Sequence, residues 1–126
     1  MSSRPLLKPY LVIKNGDMSG SLISIPSLIQ MIPVLSYGVV WTGTPTGVFN
    51  IQVSNDYSLD ETGKVANAGT WATCPVSSAT PTLAAAGVAD NGFIDVLTTG
   101  AYAMRLIYTF TSGVGNLNVT VCGKTT

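Results

Sequence analysis

The sequence predicts an all-β protein: an antiparallel β-sandwich or jelly roll of about seven to eight strands with an extended N-terminal arm. Three observations predict it. Apolar and polar residues alternate in residues 39–57 (VVWTGTPTGVFNIQVSNDY), with Phe49, Ile51 and Val53 on one side and Asn50, Gln52 and Ser54 on the other. A period of two marks a strand with one face in a core. The same alternation returns as Tyr102, Met104, Leu106, Tyr108 and Phe110, and again as Leu117, Val119 and Val121. Clusters of Gly, Pro, Thr and Asn punctuate these runs, and no helical period is sustained between them.

Residues 1–17 (MSSRPLLKPYLVIKNGD) read as an arm, with residues 18–126 as a single sandwich domain. Pro5 and Pro9 exclude a helix interior. Leu6, Leu7, Tyr10, Leu11, Val12 and Ile13 are too apolar for a solvated tail, so the arm needs something to lie on. Arg4, Leu6, Leu7, Lys8, Tyr10 and Leu11 are its candidate partner-binding residues. The alternative is that residues 10–14 form the first edge strand. Residues 18–25 suit a strand closed by Pro26, and residues 27–35 an irregular connector in which Pro33 limits any helix to about one turn.

Residues 36–41 place Tyr37, Val39 and Trp41 on one face. TGTPTG then predicts a hairpin into residues 48–54. Residues 55–69 form the longest polar connection, a projecting loop that carries Asp56, Asp60, Glu61 and Lys64. Residues 71–76 resume a strand that Pro75 confines to an edge. Residues 77–91 read as a loop despite three consecutive alanines, and Asp90-Asn91-Gly92 as a turn. Residues 93–97, 102–111 and 117–121 complete the strands.

Composition narrows the function classes. The chain has 126 residues, one domain by length, with 46 % hydrophobic but only 10 % charged residues. Its mean hydropathy is +0.39. Such a surface is covered by Ser, Thr, Asn and Gly and retains apolar area, and large apolar patches mark interfaces. Six basic and six acidic residues leave no net charge to hold copies apart. Both features predict a subunit of an assembly, including a homo-oligomer. The scattered Arg4, Lys8, Lys14, Lys64, Arg105 and Lys124 argue against nucleic acid. No run of 18 apolar residues predicts a membrane span, and no charged stretch leading into an apolar one predicts a signal peptide. Cys74 and Cys122 are expected as free, buried thiols.

Catalytic chemistry finds no constellation. The chain has no histidine, which removes the commonest general base, the Ser-His-Asp and Cys-His arrangements and most transition-metal sites. No phosphate-cradling glycine motif occurs. Asp56, Asp60 and Glu61 could offer oxygens to Ca²⁺, but a solvated acidic loop is the expected reading. No carboxylate pair can be assigned to glycoside hydrolysis. No cofactor or metal is therefore expected, and no enzyme. Arg105 inside a strand is expected to be half-buried and paired with a carboxylate. Trp41, Trp71, Tyr37, Tyr102 and Tyr108 are expected in the core, not on a sugar platform. Asn118-Val-Thr matches a glycosylation acceptor but falls within a strand.

Several motifs occur together: W-T-G-T-x-x-G-x-F from Trp41 to Phe49, V-S-N-D from Val53 to Asp56 and G-T-W from Gly69 to Trp71. D-N-x-x-I-D from Asp90, M-R-L-I-Y-T from Met104 and S-G-x-G-x-L-N-V from Ser112 follow. Across residues 39–124 this arrangement resembles small virion structural proteins of tailed bacteriophages, of the kind that are β-sandwich capsid decoration or cement proteins. The resemblance implies binding to the major capsid protein or other virion subunits, no catalysis, and a place on a virion assembled in the host cytoplasm. The same pieces resemble discoidin-like jelly rolls that bind carbohydrate, through residues 53–56, Trp71 and residues 102–106. That second likeness implies a glycan partner, with residues 57–69 as a departure from its pattern.

Overall fold

The computed structural model describes residues 6–28, 34–73, 83–97 and 102–124. Their strands are β1 (Leu6–Asp17), β2 (Leu22–Ile23), β3 (Ser27–Leu28), β4 (Val34–Trp41), β5 (Thr46–Ser54) and β6 (Ser58–Leu59). They continue as β7 (Val65–Asn67), β8 (Ala72–Thr73), β9 (Leu83–Ala86), β10 (Asp90–Leu97), β11 (Ala103–Ser112) and β12 (Asn116–Lys124). One sheet has the order β1-β12-β4-β10. The other runs β2-β11-β5-β8, with β3 also on β11 and β9 also on β5, and β6 and β7 form a separate small ribbon. All pairings are antiparallel. The sandwich predicted from the alternation is the observed fold.

The two inner faces share one apolar core. Tyr37, Val39, Trp41, Leu117, Val119 and Val121 come from the first sheet, and Phe49, Ile51, Met104, Leu106 and Tyr108 from the second. Phe49 lies at its centre, with ring centroids 5.3 Å from Trp41 and 5.0 Å from Tyr108. A fully buried side chain of this size stabilises the fold by about 1.5–3 kcal/mol relative to exposure. Burial pushes the Tyr108 phenol upward, and burial followed by the nearby Tyr10 pushes Tyr37 far above the usual tyrosine range. Neither group titrates near neutrality.

Several expectations are corrected. The hairpin of residues 39–57 is a crossover: β4 pairs with β12 and β10, while β5 pairs with β11, β8 and β9. Alternation reports which face of each strand is buried but not which sheet the strand joins. Trp41 and Phe49 meet across the sandwich, not side by side. Of the two readings of residues 1–17, the described part is an edge strand, β1, paired with β12 along Leu6–Asp17 and burying Val12 and Ile13. Residues 18–25 contribute only the two-residue β2, because Met18 and the residues after it turn the chain between sheets. The alanines 84–86 lie in β9, held by the β5 ladder, and Asp90-Asn91-Gly92 opens β10 opposite residues 39–41 instead of turning.

Four passages between the sheets meet at one end of the sandwich: residues 18–21, 42–45, 87–89 and 113–115. Backbone bonds knit them together, from Met18 N–H to Gly115 O (2.9 Å), Thr42 N–H to Asn116 O (3.0 Å), Thr44 N–H to Val114 O (2.8 Å) and Gly87 N–H to Pro45 O (2.7 Å). Gly43 and Gly113 sit there at φ +86° and +88°, where a Cβ would collide with Val114 O and Thr44 O respectively. The projecting loop, residues 55–71, occupies the opposite end.

Candidate functional site

The loop of residues 55–71 is stapled at its neck by Asp56. Its carboxylate accepts hydrogen bonds from the Ser54 hydroxyl (2.8 Å), Thr70 N–H (2.6 Å) and the Thr70 hydroxyl (2.9 Å). The Ser54 hydroxyl in turn accepts from the N–H groups of Asp56 and Tyr57. The Thr70 amide, with the two hydroxyls, holds the Asp56 carboxyl below the usual aspartate range. Asp60 organises the β6–β7 turn by accepting from Thr62 N–H and hydroxyl and from Lys64 N–H, and the Thr62 hydroxyl leads in lowering its carboxyl. Glu61 and Lys64 stand exposed beside it. Asp56 and Asp60, expected to project, are thus engaged with the loop's own amides and hydroxyls, and among the described residues no group of three or more acidic or sulfur side chains could hold a metal.

Beside this neck an amide, a guanidinium and an indole meet. Gln52 and Arg105 are opposite each other on β5 and β11, and the Arg105 Nε–H donates to Gln52 Oε1 at 2.8 Å. The guanidinium carbon stands 4.2 Å from the centroid of Trp71. Partial desolvation lowers the guanidinium pKa without removing its charge. The expected carboxylate partner is replaced by an amide and an aromatic ring. Trp71 is half-buried instead of central: its indole N–H donates to Ala68 O (2.8 Å) and its ring lies 5.7 Å from Tyr57. Gly69 is required in this corner, at φ +87° with Ser54 Oγ 2.9 Å from where a Cβ would stand. Trp41, Tyr37 and Tyr108 are buried as expected, and Tyr102 is half-buried.

The candidate partner-binding residues fall in and before β1. Arg4 lies outside the described residues. Leu6 and Leu7 pair with Lys124 and Gly123 of β12, and Lys8 continues the strand. The Tyr10 hydroxyl shares a hydrogen bond with Ser27 Oγ (3.0 Å), tying this edge to β3 of the other sheet, and Leu11 points outward at 44 % exposure. Asn118, the discounted glycosylation position, is half-buried and accepts from Asn15 N–H at 3.0 Å. Cys122 is a free thiol but exposed, because it alternates with the buried Val121; Cys74 lies outside the described residues.

The residue that the sequence reading passed over is Phe93. It is 72 % exposed, and its Cε1 is 3.4 Å from where a Cβ at Gly38 would stand, so its ring lies over the glycine on the outer face of the first sheet. Val40 (52 % exposed) and Leu11 share that face. The available signal was the run Asp90–Asp95: with Ile94 turned inward, Phe93 must turn outward.

Among the described residues no helix is long and apolar enough to cross a membrane. No family model matches the sequence, and no curated protein does. Among solved structures, the crystal structure of the SPBc2 prophage-derived protein YomS is similar, with a TM-score of 0.50 and 8 % identity over 97 % of this chain and 96 % of that one. At that identity the likeness is one of fold alone, and it runs over nearly the whole of both chains.

Proposed function

We propose that this chain is a non-enzymatic structural subunit of a tailed-phage virion, a decoration or cement protein that binds the major capsid protein and stabilises the head. The observation that carries this reading is the end-to-end fold likeness to a prophage-derived protein. The neutral composition and the exposed side chains of Phe93, Val40 and Leu11 add to it, because each exposed apolar side chain gains from being covered by another subunit. The test is quantitative mass spectrometry and electron cryo-microscopy of gradient-purified particles from a phage that encodes the chain. The expected result is a fixed ratio to the major capsid protein and density on the head, with deletion lowering the temperature of genome release. Particles that lack the chain overturn the reading.

One observation favours a second reading, a glycan-binding module displayed on the virion: Trp71, Arg105 and Gln52 combine a π-face, a guanidinium and an amide at the surface. The ring face that a sugar would stack on is already covered by Arg105, which makes this the weaker proposal. Chemical-shift changes at the Trp71 indole on titration with oligosaccharides would support it; an unmoved indole resonance would remove it.

A further inference from the structure

The two edges of the first sheet are built differently. β1 pairs with β12 through three register shifts, contains Pro9, and carries Asn15 at φ 51° and an exposed Lys14. Bulges, proline and lysine are the devices that keep an edge from accepting another strand. β10 has no bulge, proline or lysine, and its charges are Asp90 and Asp95 alone: it pairs with β4 continuously from Asp90 to Leu97, and among the described residues no strand lies on its other side. On that edge strand stands Phe93, at 72 % the most exposed large apolar residue among those whose side chains are described.

From this contrast we infer that β10 is a self-association edge, where a second copy of the chain adds its own β10 antiparallel about a two-fold axis perpendicular to the sheet. Such an axis keeps outer faces on the same side and requires directly opposite residues to share a face. With Phe93 opposite Phe93 of the copy, Asn91 falls opposite Asp95, Gly92 opposite Ile94 and Asp90 opposite Val96. Rotation about χ1 lifts each ring off Gly38 to form a cross-strand aromatic pair, and this register sets no aspartate position opposite an aspartate position. A register centred on Asp95 would set like charges opposite each other, which is destabilising. A formally neutral chain adds no long-range repulsion to the encounter. The two four-stranded sheets become one of eight.

The test is sedimentation equilibrium of the full chain with a charge-swap pair. The native chain should sediment at twice 13.1 kDa. Phe93→Glu and Phe93→Lys, each setting like charges opposite each other, should fall to the single-chain mass, and an equimolar mixture should return to twice that mass. Leu11→Glu, near the other edge, should leave the dimer intact. Concentration-dependent slowing of β10 amide exchange in the native chain reads the same interface without substitution. A native chain that stays monomeric at millimolar concentration, a dimer unaffected by either Phe93 variant, or a dimer lost with Leu11→Glu would overturn the inference.

Discussion

The two ends of the sandwich are held by different chemistry. At the crossover end, four passages between sheets are joined by backbone N–H and C=O groups, and glycines allow the chains to approach. At the loop end, residues 55–71 are held by the side-chain oxygens of Asp56 and Asp60. Backbone bonds do not titrate and tolerate most side-chain changes, but they fail where a Cβ is forced between the chains. Carboxylate bonds fail with one substitution or with acid, and only locally. The crossover end therefore belongs to the global stability of the sandwich, whereas the loop end can loosen while the core stays folded.

Substitutions can break this contrast, and the largest effect is expected beneath the crossover end. Phe49→Ala removes the ring that joins Trp41 and Tyr108 and should lower unfolding stability by about 3–5 kcal/mol, read from urea denaturation. Gly113→Ala places a Cβ at positive φ against Thr44 O; its backbone strain should cost about 1–3 kcal/mol, with the collision added to that. Asp56→Ala should barely move the urea midpoint but speed amide exchange at Thr70, which loses its acceptor, and at Tyr57, whose Ser54 acceptor loses the carboxylate that orders it. A matching global loss would show that the two ends are not separable.

Acid should act like a reversible form of that last variant. The Asp56 carboxyl is held below its ordinary value in the folded loop. Its contribution is therefore present above the ordinary aspartate range, about 3.9, and is lost as pH falls through the lowered folded value. Exchange at Thr70, corrected for the intrinsic rate, should accelerate in that window, while Thr42 and Thr44 at the crossover end stay unchanged. Asp60→Asn is expected to have the smallest effect: the amide oxygen still accepts, so only Thr62 and Lys64 amides should exchange modestly faster.

Much of the frame was legible because burial imposes a period of two on each strand. Phe49, Ile51, Tyr37, Trp41, Leu106 and Val119 announced their inward faces, and alternation with turn residues between the runs and no sustained helical period classed the chain as an antiparallel sandwich. Less of the candidate site could be read. The nearest sequence neighbours of Arg105 are apolar, so nothing local indicated that Gln52 and Trp71 would meet it. Asp56 and Asp60 looked free, although Thr70 and Lys64 satisfy them from residues further along the loop. Only the tertiary structure decided that residues 39–57 cross between sheets instead of folding back as a hairpin, that β1 is an edge strand, and that Phe93 stands on the last strand of the first sheet among the described residues. The physical reason is that one-sided burial is a property of a single strand and is written in its own residues. Strand partnership depends on chains that meet from distant positions, and no period along the sequence encodes it.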